Sequence, residues 1–196
     1  MSKDALKEYK EKRDLKETPE PKAKANTDDD EPIFVIQKHD AQNLHYDFRL
    51  EADGVLKSWA VPKGPSTDPS DKRLAIPTED HPLDYSDFEG VIPEDHYGAG
   101  EVIVWDKGTY ENHTKKNNHK LSIEEAYENG KIVVWLNGEK LTGGYALIRT
   151  GDEDDSRWLL IKEDDSKSDA RRKPVKTAPK SVISGTTIKD LKDKKE

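Results

Sequence analysis

The chain has 196 residues, of which 38% are charged and 32% hydrophobic, so it is long enough for one domain with a hydrophobic core. It has no cysteine, which excludes disulfide scaffolds and thiolate metal sites and leaves histidine and carboxylate as metal ligands. The net charge of −8 argues against a general nucleic-acid coating protein. The sequence shows no apolar signal segment and no apolar stretch of membrane length, which predicts a cytoplasmic protein.

The two ends differ in composition from the middle of the chain. Residues 1–31 are rich in lysine, glutamate, aspartate and proline, and they cannot bury enough apolar surface to fold alone. They are predicted to form a flexible arm or a short helix. Residues 167–180 carry six basic residues and one acid, a net charge of +5. We predict that residues 166–196 form a basic, mobile tail, which is either solvated or in contact with a polynucleotide backbone.

Residues 32–165 are predicted to form one β-rich domain. Eight strands are predicted, at residues 33–38, 44–52, 56–61, 73–76, 100–105, 131–136, 140–149 and 157–162. Glycine, proline and asparagine separate them, which favours a small closed β-barrel of about eight strands with a polar central cavity. Asn137-Gly138 predicts a two-residue hairpin turn, and residues 151–155 predict a longer hairpin loop. One short helix is predicted where Ser122 and Glu125 can form a capping box.

One predicted strand carries three reactive side chains on a single face. Because successive side chains of a strand point to opposite faces, His45, Asp47 and Arg49 lie side by side, opposite the apolar residues between them. Burial of such a row is costly unless a cation and an anion satisfy it. With His39, the row offers two nitrogens and one carboxylate, which suit manganese, zinc or iron. We therefore predict a metal site of His39, His45 and Asp47 beside a phosphate bound by Arg49.

Other polar segments are weaker signals. Residues 78–85 contain a histidine, three carboxylates and a tyrosine, so His81 and Tyr85 could donate to phosphate oxygens. Lys63 and Arg73 fit a phosphodiester substrate, although most exposed cations are only solvated. Residues 51–54 resemble the Lys-x-Asp-Gly motif of nucleotidyltransferases. Glu51 replaces the lysine that takes the adenylate, so ligase activity of this chain is not expected.

Seven sequence blocks together resemble the 3'-phosphoesterase domain of bacterial DNA ligase D. They are Arg13-Asp14 with residues 18–21, and residues 37–39, 45–50, 59–64, 80–85, 88–90 and 97–100. The blocks occur in order and the resemblance covers roughly residues 5–165. Because no ligase or polymerase module accompanies them, the chain resembles a stand-alone version of that domain.

The resemblance implies a small barrel that binds manganese, with cobalt or zinc as alternatives, and trims 3' ends during DNA end joining. Family members remove a 3'-terminal ribonucleoside and then hydrolyse the resulting 3'-phosphate. The implied partners are DNA or DNA/RNA primer-template 3' ends and a separate ligase, polymerase or Ku-type end-joining protein. By motif, His39, His45 and Asp47 would hold the metal, and Arg49 and His81 the scissile phosphate. Further positions implied in activity are Gln37, Lys63, Arg73, Glu79 and Tyr85, with Arg13, Asp14 and Glu20 in an arm expected to fold over the cavity when an end is bound.

Three points stay open at this stage. Asp95 stands where the family usually has glycine, and the neighbouring His96 either lies on the surface or alters the metal preference. A non-haem iron oxygenase would also use a histidine and an aspartate two residues apart with a distant histidine. Such enzymes commonly have a cosubstrate-binding arginine shortly after the distal histidine, but no arginine follows His96 until Arg149, which argues against this function. The third possible function is that of a non-catalytic barrel that binds DNA ends or a repair partner around a structural metal. A purely structural site would have no need of Arg49, His81 and Glu79.

Overall fold

The computed structural model describes residues 4–22, 31–152 and 156–194. The strands are β1 (Ile33–Asp40), β2 (Leu44–Ala52), β3 (Val55–Val61), β4 (Lys72–Pro82), β5 (Gly90–Ile92), β6 (Gly100–Asn112), β7 (Lys115–Lys116), β8 (His119–Lys120), β9 (Lys131–Gly138), β10 (Thr142–Thr150) and β11 (Arg157–Lys162). The helices are α1 (Lys7–Glu11), α2 (Ile123–Glu128), α3 (Pro174–Thr177) and α4 (Ile188–Asp193), with a 3₁₀ helix at Leu83–Asp87. Within the described ranges no helix exceeds six residues, so none is long enough to cross a bilayer.

Eight strands form a closed antiparallel barrel, as the sequence predicted. Their order is β1-β2-β3-β4-β11-β10-β9-β6, and β6 closes the ring by pairing with β1. β5 adds to the edge of β6, and β7 pairs with β8 in a separate hairpin. All eight predicted strands are present. β4 continues to Pro82 and β6 to Asn112, beyond the predicted ends at residues 76 and 105.

The inside of the barrel is an apolar core to which every strand of the ring contributes. Its strand residues are Phe34, Ile36, Tyr46, Phe48, Leu50, Trp59, Val61, Ala75, Trp105, Tyr110, Ile132, Val134, Leu136, Tyr145, Leu147, Trp158 and Leu160. An eight-stranded barrel is just wide enough for its own side chains to fill. The expected polar cavity is therefore not central. His45, Asp47 and Arg49 alternate with core residues of β2 and so lie on the outer face of the barrel wall.

Two hairpins show how turns set the register of the wall. Asp53 and Gly54 both have positive φ (48° and 74°), as a type I′ turn requires, and the turn pairs Ala52 with Val55. The turn predicted at Asn137-Gly138 is displaced, because Asn137 already pairs with Thr142. The buried Asp106 carboxylate accepts the backbone N–H groups of residues 139, 140 and 141 and fixes the turn there.

The predicted helix is confirmed as α2. Ser122 and Glu125 form the capping box, and Gly130 follows with a φ of 76°. The loop predicted at residues 151–155 does join two paired strands, β10 and β11, but residues 153–155 lie outside the described ranges.

Both chain ends contact the barrel. In the N-terminal segment, Leu6 and Tyr9 are buried. In the C-terminal segment, the indole of Trp105 donates to the carbonyl of Ala178 at 2.7 Å, and the N–H of Val182 donates to that of Val104 at 3.0 Å. The tail therefore has backbone anchors that its composition does not reveal. The division into arm, barrel and tail, and the mobility of the two ends, stay predictions, and residues 23–30 lie outside the described part of the arm.

Candidate metal centre and phosphate site

The candidate site is assembled by the register of three strands. β1 pairs with β2 so that Gln37 lies opposite Asp47 and His39 opposite His45. β3 brings Ser58 opposite Arg49 on the other side of β2. Because paired residues of neighbouring strands point to the same face, these side chains meet on the outer wall.

His39, His45 and Asp47 form a group that could hold a metal ion. One ligand atom from each lies within 4.8 Å of the others. The Asp47 carboxylate is 3.5 Å from Nδ1 of His39 and 3.4 Å from Nε2 of His45. Among the described residues no other cluster of histidines and carboxylates meets this geometry.

The second nitrogen of each imidazole is already used by the backbone. Nε2 of His39 lies 2.7 Å from the carbonyl oxygen of Gly98, and Nδ1 of His45 lies 2.9 Å from that of Asn43. A carbonyl can only accept, so the hydrogen-bond network assigns a proton to each of these nitrogens. The neutral rings then turn their lone pairs toward the Asp47 carboxylate. Such a donor set fits a divalent cation, and backbone support of this kind commonly orients metal-binding histidines.

The ionisation of the group follows from its surroundings. Burial by itself would raise the pKa of Asp47, but the charge of Arg49, together with the adjacent His39 and His45, holds that pKa well below its ordinary value. Burial opposes the charged form of His45, whereas the adjacent Asp47 outweighs it and raises the pKa of His45. The carboxylate is thus ionised near neutral pH, as a metal ligand must be.

Arg49 is held rigidly beside the three candidate ligands. Its Nε donates to Oε1 of Gln37 at 2.8 Å, its Nη1 to Oγ of Ser58 at 2.9 Å, and its Nη2 lies 3.4 Å from the Asp47 carboxylate. The amide nitrogen of Gln37 in turn donates to the carbonyls of Tyr85 and Phe88. Gln37 therefore joins Arg49 to the 3₁₀ helix, and the guanidinium presents a fixed positive charge to the cavity.

His81 and Tyr85 are buried and uncharged. Burial lowers the pKa of His81 well below its ordinary value, and the nearby Arg49 and Arg13 lower it further. Its Nδ1 lies 2.8 Å from the carbonyl of Glu79 and 3.1 Å from Nη1 of Arg49, and its Nε2 lies 3.2 Å from Nη2 of Arg13. Because a carbonyl can only accept, the shorter contact assigns the proton to Nδ1, and Nε2 then accepts from Arg13. Burial and the charge of Glu20 raise the pKa of Tyr85 well above its ordinary value. In this arrangement His81 is an acceptor toward the arm and not a donor toward the cavity.

The described part of the arm closes one side of the site. Arg13 donates to Glu20 and to Glu79, each at 2.8 Å, and Lys12 pairs with Glu79 at 3.2 Å. Glu20 also accepts a hydrogen bond from the hydroxyl of Tyr85 at 3.0 Å. Tyr9 is fully buried and packs edge-on to His81 and Tyr85. Arg13 and Glu20 are thus integrated with the barrel residues of the site.

These groups surround one open cavity of about 420 Å³ on the outer wall. The predicted site residues that line it are Arg13, His39, His45, Asp47, Arg49, Glu79, His81 and Tyr85. Gln37 and Glu20 stand directly behind that lining. Lys63, Arg73 and Asp14 are not part of it: Arg73 pairs with Asp71, and the exposed Asp14 accepts backbone N–H groups in the turn after α1.

Asp95 and His96 do not disturb the site in this structure. Asp95 is not among the described non-glycine residues with positive φ, so it fits its turn without a left-handed conformation. His96 faces Glu17 at 3.9 Å and does not join the candidate ligands. The second histidine of the group is His39, which lies only six residues before His45. The oxygenase alternative requires a histidine distant in sequence, so this group does not support it.

Sequence reasoning missed several members of the site. The Gly98 and Asn43 carbonyls carry no side-chain signal. Ser58 could have been found, because a two-residue turn at Asp53-Gly54 fixes the register that pairs it with Arg49. Tyr97 lies in one of the recognised sequence blocks, but no role was predicted for it.

Comparison with known proteins agrees with the resemblance. Residues 37–149, more than half of the chain, match the family model of the DNA ligase D 3'-phosphoesterase domain. The chain is 49% identical over 188 residues to the multifunctional non-homologous end joining protein LigD of Pseudomonas aeruginosa, and the match covers 93% of the chain and 22% of that protein. It is 50% identical over 158 residues to the LigD of Mycobacterium tuberculosis, with 80% of the chain and 19% of that protein covered. The chain thus spans about a fifth of the length of these relatives.

Proposed function

The chain belongs to the family of DNA ligase D 3'-phosphoesterase domains, and from that premise we propose that it is a manganese-dependent 3'-end-healing enzyme. It removes 3'-terminal ribonucleosides and 3'-phosphates from DNA or RNA-tipped DNA ends. The proposal rests above all on one observation: one nitrogen of His39 and one of His45 lie 3.5 Å and 3.4 Å from a single carboxylate, that of Asp47, with the guanidinium of Arg49 beside it. A cation and a phosphate together satisfy that arrangement.

In this proposal His39, His45 and Asp47 hold the metal. A bound Mn²⁺ would supply Lewis-acid polarisation of phosphoryl oxygens or a water of lowered pKa. The donor set also accommodates Co²⁺ or Zn²⁺. The Gly98 and Asn43 carbonyls keep the two rings in the tautomers that face Asp47.

Arg49 neutralises the charge that builds on the phosphate oxygens in the transition state. It is preorganised for this because Gln37 and Ser58 occupy Nε and Nη1, which leaves Nη2 near the metal ligands. Arg13 is the second cation of the site. His81 supports it by accepting from Nη2 of Arg13, which is how a neutral histidine contributes to phosphate binding here.

A primer-template with a single 3' ribonucleotide tests the proposal. With Mn²⁺ we expect a product that first carries a 3'-phosphate and then a 3'-hydroxyl. Asp47→Asn should abolish both steps and weaken Mn²⁺ binding measured by calorimetry. Lys115→Ala, in the separate β7–β8 hairpin, is the matched control and should cleave like the wild type.

The non-catalytic alternative gives the opposite result. A protein that binds the primer-template tightly but leaves it intact with Mn²⁺, Co²⁺ and Zn²⁺ is a binding module with a structural metal. With the enzymatic proposal we also predict association with a separate ligase, polymerase or Ku-type protein, and a cytoplasmic location. The association is expected because end healing yields the 3'-hydroxyl that polymerases and ligases require.

A further inference from the structure

Tyr97 is an aromatic side chain at the mouth of the cavity. The described large apolar residues that are exposed are Leu44, Leu74, Ile76, Tyr97 and Ile183. Tyr97 is the only aromatic among them, at 52% exposure, and it also lines the cavity that contains the candidate metal ligands. Its ring belongs to neither apolar core cluster of the described residues. Packing of the apolar core therefore does not account for this ring.

The backbone fixes Tyr97 relative to the candidate metal ligands. The next residue, Gly98, has a φ of 76°, and its carbonyl accepts from His39 at 2.7 Å. The N–H of Ala99 closes a turn by donating to the carbonyl of His96 at 3.1 Å. The loop that carries the ring is thus tied to His39, so the ring stands at a set position beside the metal group.

Two cations of the N-terminal arm lie over the ring of Tyr97. Nζ of Lys12 lies 5.2 Å and Cζ of Arg13 lies 5.4 Å from the ring centroid, both within cation–π range. A half-exposed aromatic ring next to cations is the combination by which proteins bind unpaired nucleotides, since the cations attract the backbone and the ring stacks on a base. The structure offers both at one rim of the cavity.

The size of the cavity decides which nucleotide reaches the ring. About 420 Å³ suits one small ligand and excludes a duplex. The group that enters is therefore the last nucleotide of the 3' strand, while the duplex stays outside. We propose that Tyr97 stacks on the base of the 3'-terminal ribonucleoside and so determines specificity for the first of the two cleavage steps. This inference rests on the proposed phosphoesterase function.

The two steps should depend on Tyr97 unequally. In the first step the terminal nucleoside is still attached through its phosphate, so its base can stack on the ring. After that nucleoside has left, the substrate of the second step ends in a phosphate with no base beyond it. Stacking of one base contributes about 1–3 kcal/mol, which corresponds to about a 5- to 150-fold difference in affinity.

The experiment measures kcat/KM of Tyr97→Ala, Tyr97→Phe and the wild type in the presence of Mn²⁺ on three substrates. The substrates are primer-templates that end in a ribonucleotide, in an abasic ribose or in a 3'-phosphate. For Tyr97→Ala we expect the ratio of ribonucleotide to 3'-phosphate kcat/KM to fall at least about 5-fold, mainly through KM. Tyr97→Phe keeps the ratio, because its ring still stacks. Ile183→Ala, which removes an apolar side chain of similar exposure (51%), is the control and leaves the ratio unchanged.

The abasic end provides the decisive comparison. The wild type should have a higher KM for the abasic end than for the ribonucleotide end, because the abasic end has no base to stack. For the same reason Tyr97→Ala should not raise the KM for the abasic end further. If Tyr97→Ala lowers the ribonucleotide and abasic reactions equally, or leaves the ratio unchanged, the inference is wrong. If the wild type cleaves none of the three substrates, the proposed function itself fails, and the two failures are thereby distinguished.

Discussion

The two faces of the nine-residue strand β2 carry different side chains and serve different purposes. The inward side chains Tyr46, Phe48 and Leu50 pack in the barrel core, and the outward side chains of the same strand form the candidate site. The inner face is shared by all eight strands of the ring, whereas the outer site draws on neighbouring strands and on the N-terminal arm. Stability and chemistry are therefore separated by the alternation of the strand and not by distance along the chain.

Adjacent substitutions in β2 should give the largest contrast. Asp47→Asn should lower kcat/KM more than about 100-fold, since even outer-shell partners of a metal are worth about 10- to 100-fold. Phe48→Ala should cost about 3–5 kcal/mol of unfolding free energy because it leaves a cavity in the core. Denaturant unfolding and Mn²⁺-dependent cleavage, normalised to folded protein, check both. If Phe48→Ala impaired cleavage per folded molecule as strongly as Asp47→Asn, the two faces would not be separable.

Arg49→Lys tests whether the guanidinium itself matters on the outer face. Lysine keeps the positive charge but cannot donate to Gln37, Ser58 and a phosphate at once. We expect kcat/KM to fall about 100-fold, in the range for loss of one transition-state donor. Mn²⁺ affinity by calorimetry should change little. Equal loss of metal affinity and cleavage would indicate that Arg49 acts through Asp47 alone.

Gln37→Ala tests the support behind that guanidinium. It removes the acceptor for Nε of Arg49 and leaves the Tyr85 and Phe88 carbonyls without their partner. We expect about a 10-fold loss of kcat/KM, together with lower thermal stability, because buried carbonyls lose a donor. Ser58→Ala, which removes one hydrogen bond to Arg49 and one donor to the carbonyl of Leu56, serves as the comparison, because Gln37→Ala takes donors from two carbonyls. It should have the smaller effect in both assays.

The smallest expected effect concerns the pH dependence of the arm. Burial opposes ionisation of Glu79, but the hydrogen bond and charge of Arg13 outweigh it and lower its pKa below the ordinary value of 4.5. A carboxylate with a lowered pKa stabilises the closed arm fully above pH 4.5, and this stabilisation is lost as the pH falls below that value. Hydrogen exchange in residues 4–22 should therefore speed up, relative to the intrinsic rate, toward pH 3. In Glu79→Gln, hydrogen exchange of the arm should no longer depend on pH in this range. If the dependence persists in that variant, another group causes it.

Sequence alone predicted the barrel and the candidate ligands His45 and Asp47 because both depend on local alternation, whereas His39 was included because it lies close to them in the sequence. Each strand shows its apolar face, and His45, Asp47 and Arg49 are spaced by two residues. The predicted position of the cavity, in the centre of the barrel, was wrong, because alternation alone does not distinguish the inner from the outer face of the sheet. That choice follows from barrel closure, which fills the inner face with side chains from all eight strands. The polar composition of the arm likewise hid Tyr9, whose burial depends on His81 and Tyr85, more than 70 residues away.

The carbonyl contacts of His39 and His45 have a consequence for mutational mapping. Both histidines are oriented by backbone oxygens, so no side-chain substitution at Gly98 or Asn43 deletes the acceptor itself. An alanine scan would record these two positions as unimportant or merely strained, although they set the tautomers of both rings. Chemical synthesis offers the direct approach: an ester in place of the peptide bond after Gly98 weakens its oxygen as an acceptor. Because this ester also removes the Ala99 N–H that donates to the carbonyl of His96, it has to be compared with a variant of that turn alone.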